Sequence, residues 1–118
     1  MNKKVKFIFI DIDIRSSNKL IKNIKKKGFK IPKFIECNIL DIKKLQNIIK
    51  DIISKKGAIH CLINSAANDD RHTTEQVDEN YWENRMGINL KHYFFAAQAV
   101  VKGMKKIKSG SIVNLSSV

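Results

Sequence analysis

Residues 110–118 read G-S-I-V-N-L-S-S-V, an apolar strand pattern that closes on two serines, Ser116 and Ser117. Open α/β sheets present reactive groups to a ligand at the carboxyl ends of their strands. A hydroxyl delivered there can hydrogen-bond a substrate oxygen, but it needs a partner to activate it. Asp11 closes a second apolar run, residues 5–10 (V-K-F-I-F-I). A carboxylate in that place can accept hydrogen bonds from the ribose hydroxyls of a dinucleotide and repel a 2′-phosphate. It can equally be a solvated carboxylate that ends a strand, and Asp13, one alternation further on, could hold the role instead. The glycine-rich turn that holds a pyrophosphate lies about 20 residues before such an acid; only ten residues precede Asp11, none of them glycine.

Asn64-Ser65-Ala66-Ala67 follows a third apolar run, residues 59–63 (I-H-C-L-I). Small residues directly after a buried strand let a cofactor lie close to the backbone, and Asn64 can tie the strand end to its neighbours. Asn89 sits just after Gly87 among Ile88, Leu90, Phe94 and Phe95. A buried asparagine in a helix has to satisfy its amide, through a local structural bond or as a site residue. The three histidines offer no metal site: His60 lies in a strand, His72 in a loop, and His92 on a helix without a second ligand at i+4. Trp82, Tyr93, Phe94 and Phe95 read as core or subunit contacts rather than a stacking platform.

The elements that must carry these residues follow from periodicity. Residues 5–10, 33–37 (K-F-I-E-C), 59–63 and 112–115 are short apolar strands. Ser16 or Ser17 is expected to cap a first helix ending at Gly28, with Leu20, Ile21 and Ile24 on one face. Asp41 starts a second helix, with Leu45, Ile48, Ile49 and Ile52 on one face, which ends before Gly57. Asp78 caps a long third helix to about Ile107, with Gly87 inside it. A polar loop, Asn68-Asp69-Asp70-Arg71-His72, precedes that helix. Strand and helix alternate with no hairpin signal, which predicts βαβ units and a parallel sheet. Residues 1–118 read as one domain without linker or repeat.

Composition narrows the function classes. Hydrophobic residues at 43% suffice for a core, and one proline with five glycines argues against disorder. No apolar run reaches the roughly 18 residues of a membrane span, and Asp11 and Asp13 interrupt the basic-then-apolar start, residues 1–14, that could suggest a secretory signal. A cytoplasmic protein is expected. Cys37 and Cys61 read as reduced, buried thiols rather than a disulfide or metal pair. Lysine and arginine number 23 against 11 acids, a net charge of +12. That balance allows a basic nucleic-acid-binding module. Only Arg15, Arg71 and Arg85 are arginine, however, and the lysines fall on solvent-facing helix positions, so composition is the favoured account and no nucleic-acid partner is expected.

Five motifs in order carry a resemblance: a strand ending in Asp11, C-N-I-L-D (residues 37–41), I-N-S-A-A (63–67), G-I-N-L (87–90) and I-V-N-L-S-S (112–117). The chain resembles a short-chain dehydrogenase/reductase over essentially its whole length, from that family's second strand to its fifth. The resemblance implies a partial doubly wound (Rossmann-type) α/β domain, its first strand and C-terminal third falling outside the matched region. It implies cofactor contacts at Asp11, at Asn38 (usually Asp in the family) with Ile39, and at Asn64 and Ala66 in a segment that replaces the family's N-N-A-G. Asn89 matches the asparagine of the catalytic tetrad, and Ser117 the catalytic serine, ahead of Ser116. The tetrad's tyrosine and lysine would lie beyond Val118, and the glycine-rich loop before Met1. The segments 67–72 and 81–100 are similar to those of bacterial pentose dehydrogenases of the family, such as the D-xylose dehydrogenases.

These likenesses imply an oxidoreductase that moves a hydride between a sugar or similar alcohol and NAD, in preference to NADP. The complete protein is expected to be a homo-oligomer. The isolated chain is expected to be inactive and marginally stable, because without the first strand residues 5–10 and 59–63 would expose unpaired strand edges. The competing expectations are a non-catalytic remnant, or half of a split protein whose partner chain supplies the missing strand.

Overall fold

The computed structural model describes residues 5–117; the basic start of the sequence and Val118 lie outside them. The elements run β1 (Ile8–Asp11), α1 (Ile14–Lys26), β2 (Lys33–Glu36), α2 (Ile42–Lys56), β3 (Cys61–Asn64), a 3₁₀ turn (Thr74–Gln76), α3 (Glu79–Met86), a π turn (Gly87–Lys91), α4 (His92–Ile107) and β4 (Ser111–Asn114). This is the expected α/β alternation. It forms two compact units, Met1–Asn38 and Ile39–Val118.

In the first unit β1 and β2 pair in parallel, Ile8 opposite Lys33 and Asp11 opposite Glu36, with α1 as the crossover. Phe9 and Phe34 face each other across the pair, ring centroids 5.2 Å apart. The strand starts later than the apolar run, at Ile8, although the Phe7 carbonyl still accepts from Lys33 N at 2.9 Å. The cap of α1 also differs from expectation. Asp13 takes it, accepting from Ser16 N at 2.8 Å and from Ser16 Oγ at 2.7 Å, while Ser17 is buried. A carboxylate three residues before Ser16 offers two acceptor oxygens to the open first turn, which a serine hydroxyl cannot match.

In the second unit β3 and β4 pair in parallel, Cys61 opposite Ser111 and Asn64 opposite Asn114. Asp41 caps α2, accepting from Lys44 N at 2.9 Å, and Gly57 ends it at φ 88°, a backbone that favours glycine. Leu45 and Ile49 of α2 and Ala96, Val100 and Met104 of α4 are buried, each set recurring every four residues. The two helices pack on one another, and Gln46 Nε2 donates to the Phe95 carbonyl at 3.0 Å.

Asp78 caps the long helix as expected, accepting from Tyr81 N at 2.7 Å, but that helix is not continuous. At Gly87–Lys91 it opens into a π turn before resuming as α4. Gly87 packs close to α2's approach: a Cβ there would meet Leu40 Cδ2 at 2.7 Å, so a larger residue would oblige the Leu40 side chain to turn. Cys37 is buried, but Cys61 is exposed: it opens β3, and the alternation of the strand turns it outward. Trp82 and Phe94 stand outside the core, at 58% and 64% exposure. Each strand has one paired neighbour among the described residues.

Candidate functional site

Every sequence-predicted site residue outside the helix lies at or just past the carboxyl end of a parallel strand. In the first unit Asp11 ends β1, exposed, with its Oδ1 accepting from Asp13 N at 2.8 Å. Its carbonyl accepts from Cys37 N at 3.1 Å, which brings Asn38, the next residue, close to the same sheet end. Ile39, half-buried, opens the second unit.

In the second unit Asn64 is 4% exposed and its amide is committed to the framework. Its Nδ2 donates to Asn114 Oδ1 at 2.8 Å and to the Tyr93 carbonyl at 3.4 Å. That is the strand tie the sequence suggested, so the Asn64 amide nitrogen is spent on protein. The ladder runs one residue past β4, with Leu115 N donating to the Asn64 carbonyl at 3.0 Å. Tyr93 Oη then donates to the Leu115 carbonyl at 2.7 Å, and Ser116 and Ser117 follow, exposed.

Asn89 lies within the π turn. Single π turns open the backbone ladder of a helix and recur at functional sites. The residue is exposed rather than buried, because the turn carries it to the surface, and its amide bonds the loop at both ends: Oδ1 accepts from Asn68 N at 2.8 Å, and Nδ2 donates to the Asn68 carbonyl at 3.0 Å, leaving its second N–H available. The amide therefore holds the loop after β3. A helix residue three positions on, His92, is buried, with Nε2 3.0 Å from the Ala66 carbonyl. Burial holds the imidazole below its ordinary pKa, against the opposing pull of the Ala66 and Ile88 carbonyls.

One helix thus gathers Asn64, Ala66, Asn89 and the strand end before Ser117, while Asp11 and Asn38 sit together in the other unit. Sequence reasoning missed Arg85, His92 and Tyr93 as framework residues. Their signal is spacing, because positions 85, 89, 92 and 93 recur at helical intervals on one face. A cavity of about 270 Å³ is lined by Leu40, Ile42, Glu83, Met86, Gly87 and Lys91, none of them a sequence-predicted site residue.

A model of the family described as short chain dehydrogenase matches residues 1–118. The chain belongs to the short-chain dehydrogenase family. It is similar to the Rhizobium meliloti protein named "Probable galactose dehydrogenase", 34% identical over 110 residues, covering 93% of this chain and 43% of that protein. It is equally similar to the D-xylose 1-dehydrogenase of Caulobacter vibrioides, 34% identical over 112 residues, 94% of this chain and 43% of the relative. This short-chain dehydrogenase sequence therefore spans less than half the length of those relatives. Among solved structures, a metagenomic short-chain oxidoreductase in complex with NADP superposes with a TM-score of 0.86 at 18% identity, covering 96% of this chain and 51% of that one. A gluconate 5-dehydrogenase from Burkholderia cenocepacia, in complex with NADP and tartrate, gives 0.77 at 24%, covering 93% and 43%. These two likenesses establish the fold: α/β, a partial Rossmann-type parallel sheet.

Proposed function

We propose that residues 1–118 are part of an NAD-dependent oxidoreductase acting on a sugar or similar alcohol. The observation that carries this reading is the placement of Asp11, Asn64–Ala66 and Ser117 at carboxyl ends of parallel strands, with Asn89 in a π turn. The residues present suit a dinucleotide. Asp11 is an exposed carboxylate with one oxygen oriented by the Asp13 N–H, ready to accept ribose hydroxyls. Asn38 and Ile39 would flank the adenine, and Ser65 and Ala66 leave the backbone open to close approach. The dinucleotide, when bound, supplies a nicotinamide ring that accepts a hydride from a carbinol carbon.

Ser117 would hydrogen-bond the reacting oxygen, and Asn89, exposed and oriented by its two bonds to Asn68, would hold a water of the proton relay with its second N–H. The proton acceptor of the family is a tyrosine followed four residues on by lysine, and no Tyr-x-x-x-Lys occurs in these 118 residues. The chain by itself is accordingly expected to give no turnover. Homo-oligomeric assembly of the whole protein belongs to the same proposal.

The test uses the protein expressed from its natural gene. NAD reduction with D-xylose and D-galactose should be steady, and Asp11→Ala should erode the NAD-over-NADP preference by about tenfold or more. No reduction with any aldose overturns the sugar assignment. Unchanged cofactor selectivity overturns the role of Asp11.

A further inference from the structure

The helix that carries Asn89 grips the segment after β3 at three places, not one. His92 Nε2 lies 3.0 Å from the Ala66 carbonyl. Asn89 bonds both the N–H and the carbonyl of Asn68. Arg85 Nη2 donates to Asp70 Oδ2 at 3.1 Å. Moving backward along the helix, from 92 to 89 to 85, each step advances two residues along the segment, from 66 to 68 to 70. That is the match between a helical face, which repeats every three to four residues, and an extended strip, which repeats every two.

The Arg85 end is strongly built. The guanidinium is mostly covered, with 18% of its side-chain surface exposed, and lies 4.9 Å from the Tyr81 ring centroid. Tyr81 Oη donates to the Asp70 carbonyl at 3.2 Å, and the His72 ring packs on Tyr81 with centroids 4.1 Å apart. Asp70 N donates to Asn68 Oδ1 at 3.0 Å, joining the two rungs along the strip. Its Nε and Nη1 are buried without a hydrogen-bond partner among the described residues, so the Asp70 pair and the Tyr81 face are what hold the charge in place. Arginine is scarce in this chain: three against twenty lysines, of which one is Arg85 and another, Arg71, stands in the loop it holds.

The rungs commit residues 66, 68 and 70 to the helix. Asp69 and Arg71, exposed, alternate with them. A carboxylate and a guanidinium two residues apart can accept from and donate to neighbouring hydroxyls, which is the chemistry that reads a polyol.

We propose that Arg85 and His92 are positioning residues, one on each side of Asn89, which hold segment 66–70 in one conformation and present Asp69 and Arg71 to the hydroxyls of a polyol substrate. The polyol role rests on the sugar reading above; the clamp does not.

Amide hydrogen exchange and steady-state kinetics on the protein expressed from its natural gene separate the two. Arg85→Lys keeps the charge and loses the planar fork, and His92→Phe keeps the ring volume and loses its nitrogen. Each should speed exchange at the Asn68 and Asp70 amides by about tenfold, leaving α4 unchanged. Tyr81→Phe, which removes one hydroxyl, should do the same at Asp70 and serves where Arg85→Lys fails to fold. Unchanged exchange at both amides overturns the clamp. With D-xylose and NAD, Asp69→Asn should raise the sugar KM about tenfold while kcat and NADH affinity stay within about twofold. An unchanged KM overturns the polyol role. Wild-type protein that binds NADH but oxidises no aldose also overturns that role, while the exchange result still decides the clamp.

Discussion

The two units share a plan, a parallel strand pair with helix, yet differ in how much they cover. In Ile39–Val118 two helices pack and bury Leu45, Ile49, Ala96, Val100 and Met104. In Met1–Asn38 one helix serves one strand pair, and among its described residues only Ser17 and Cys37 are buried. Leu20, on the apolar face of α1, stays 47% exposed, and Phe7 and Phe29 are 64% and 68% exposed. Parallel sheets are built to be covered on both faces, and a two-stranded one lacks the area to stand alone. The first unit therefore leans on its caps and cross-strand pair, whereas the second has a core of its own.

Four measurements on the 118-residue chain test that contrast. Ile49→Ala should cost about 2–5 kcal/mol by urea denaturation, and Leu20→Ala under about 1 kcal/mol; equal costs would erase the difference. Amides around Val100 in α4 should exchange about a hundredfold more slowly than those of α1, read by mass spectrometry. The third is a pH profile. The His92 pKa is lowered in the fold, so between the unfolded value near 6.5 and the folded value the unfolded chain binds the extra proton. Stability should be insensitive to His92 above about pH 6.5 and fall below it, by at most about 1.4 kcal/mol per pH unit. His92→Phe should flatten that limb, and an unchanged slope would assign it elsewhere. Last, Asp13→Ala should cost α1 about 1 kcal/mol, seen as lost helicity confined to the first unit.

Much of this architecture is legible in the residues. Continuous apolar runs bounded by polar residues mark all four strands, and Asp41, Gly57 and Asp78 mark helix ends where they stand. The cap of α1 is not, because Asp13, Ser16 and Ser17 all have capping chemistry and only the backbone path selects one. The π turn is hidden for a related reason. Gly87 inside a helical pattern signals only small size, and the close neighbour that fills the space beside it, Leu40, lies 47 residues away. Asn89 stood out as a polar residue among apolar ones. Arg85 and His92 did not, since a charged or aromatic-like residue on a helix is ordinary until its partner, a loop carbonyl or carboxylate, is known. The exposure of Cys61 likewise depends on which face of a short strand is covered.

The π turn also stores one residue more than the two halves of its helix need to stay in phase. Each residue of an α-helix turns it by about 100°. A π turn takes more residues to come round, so the five residues Gly87–Lys91 turn the chain about as far as four of a regular helix, and α3 and α4 keep their phase around the extra one. Deleting a single residue there would let α3 and α4 join as one regular helix with Arg85 and His92 little moved relative to each other. What would move is the inside of the turn, Asn89 with it, so the helix would gain regular hydrogen bonds while the loop lost its middle rung at Asn68. Length in this short stretch is therefore as much a part of the site as side-chain identity: substitutions at Ile88 or Lys91 leave the turn intact, and a one-codon deletion does not.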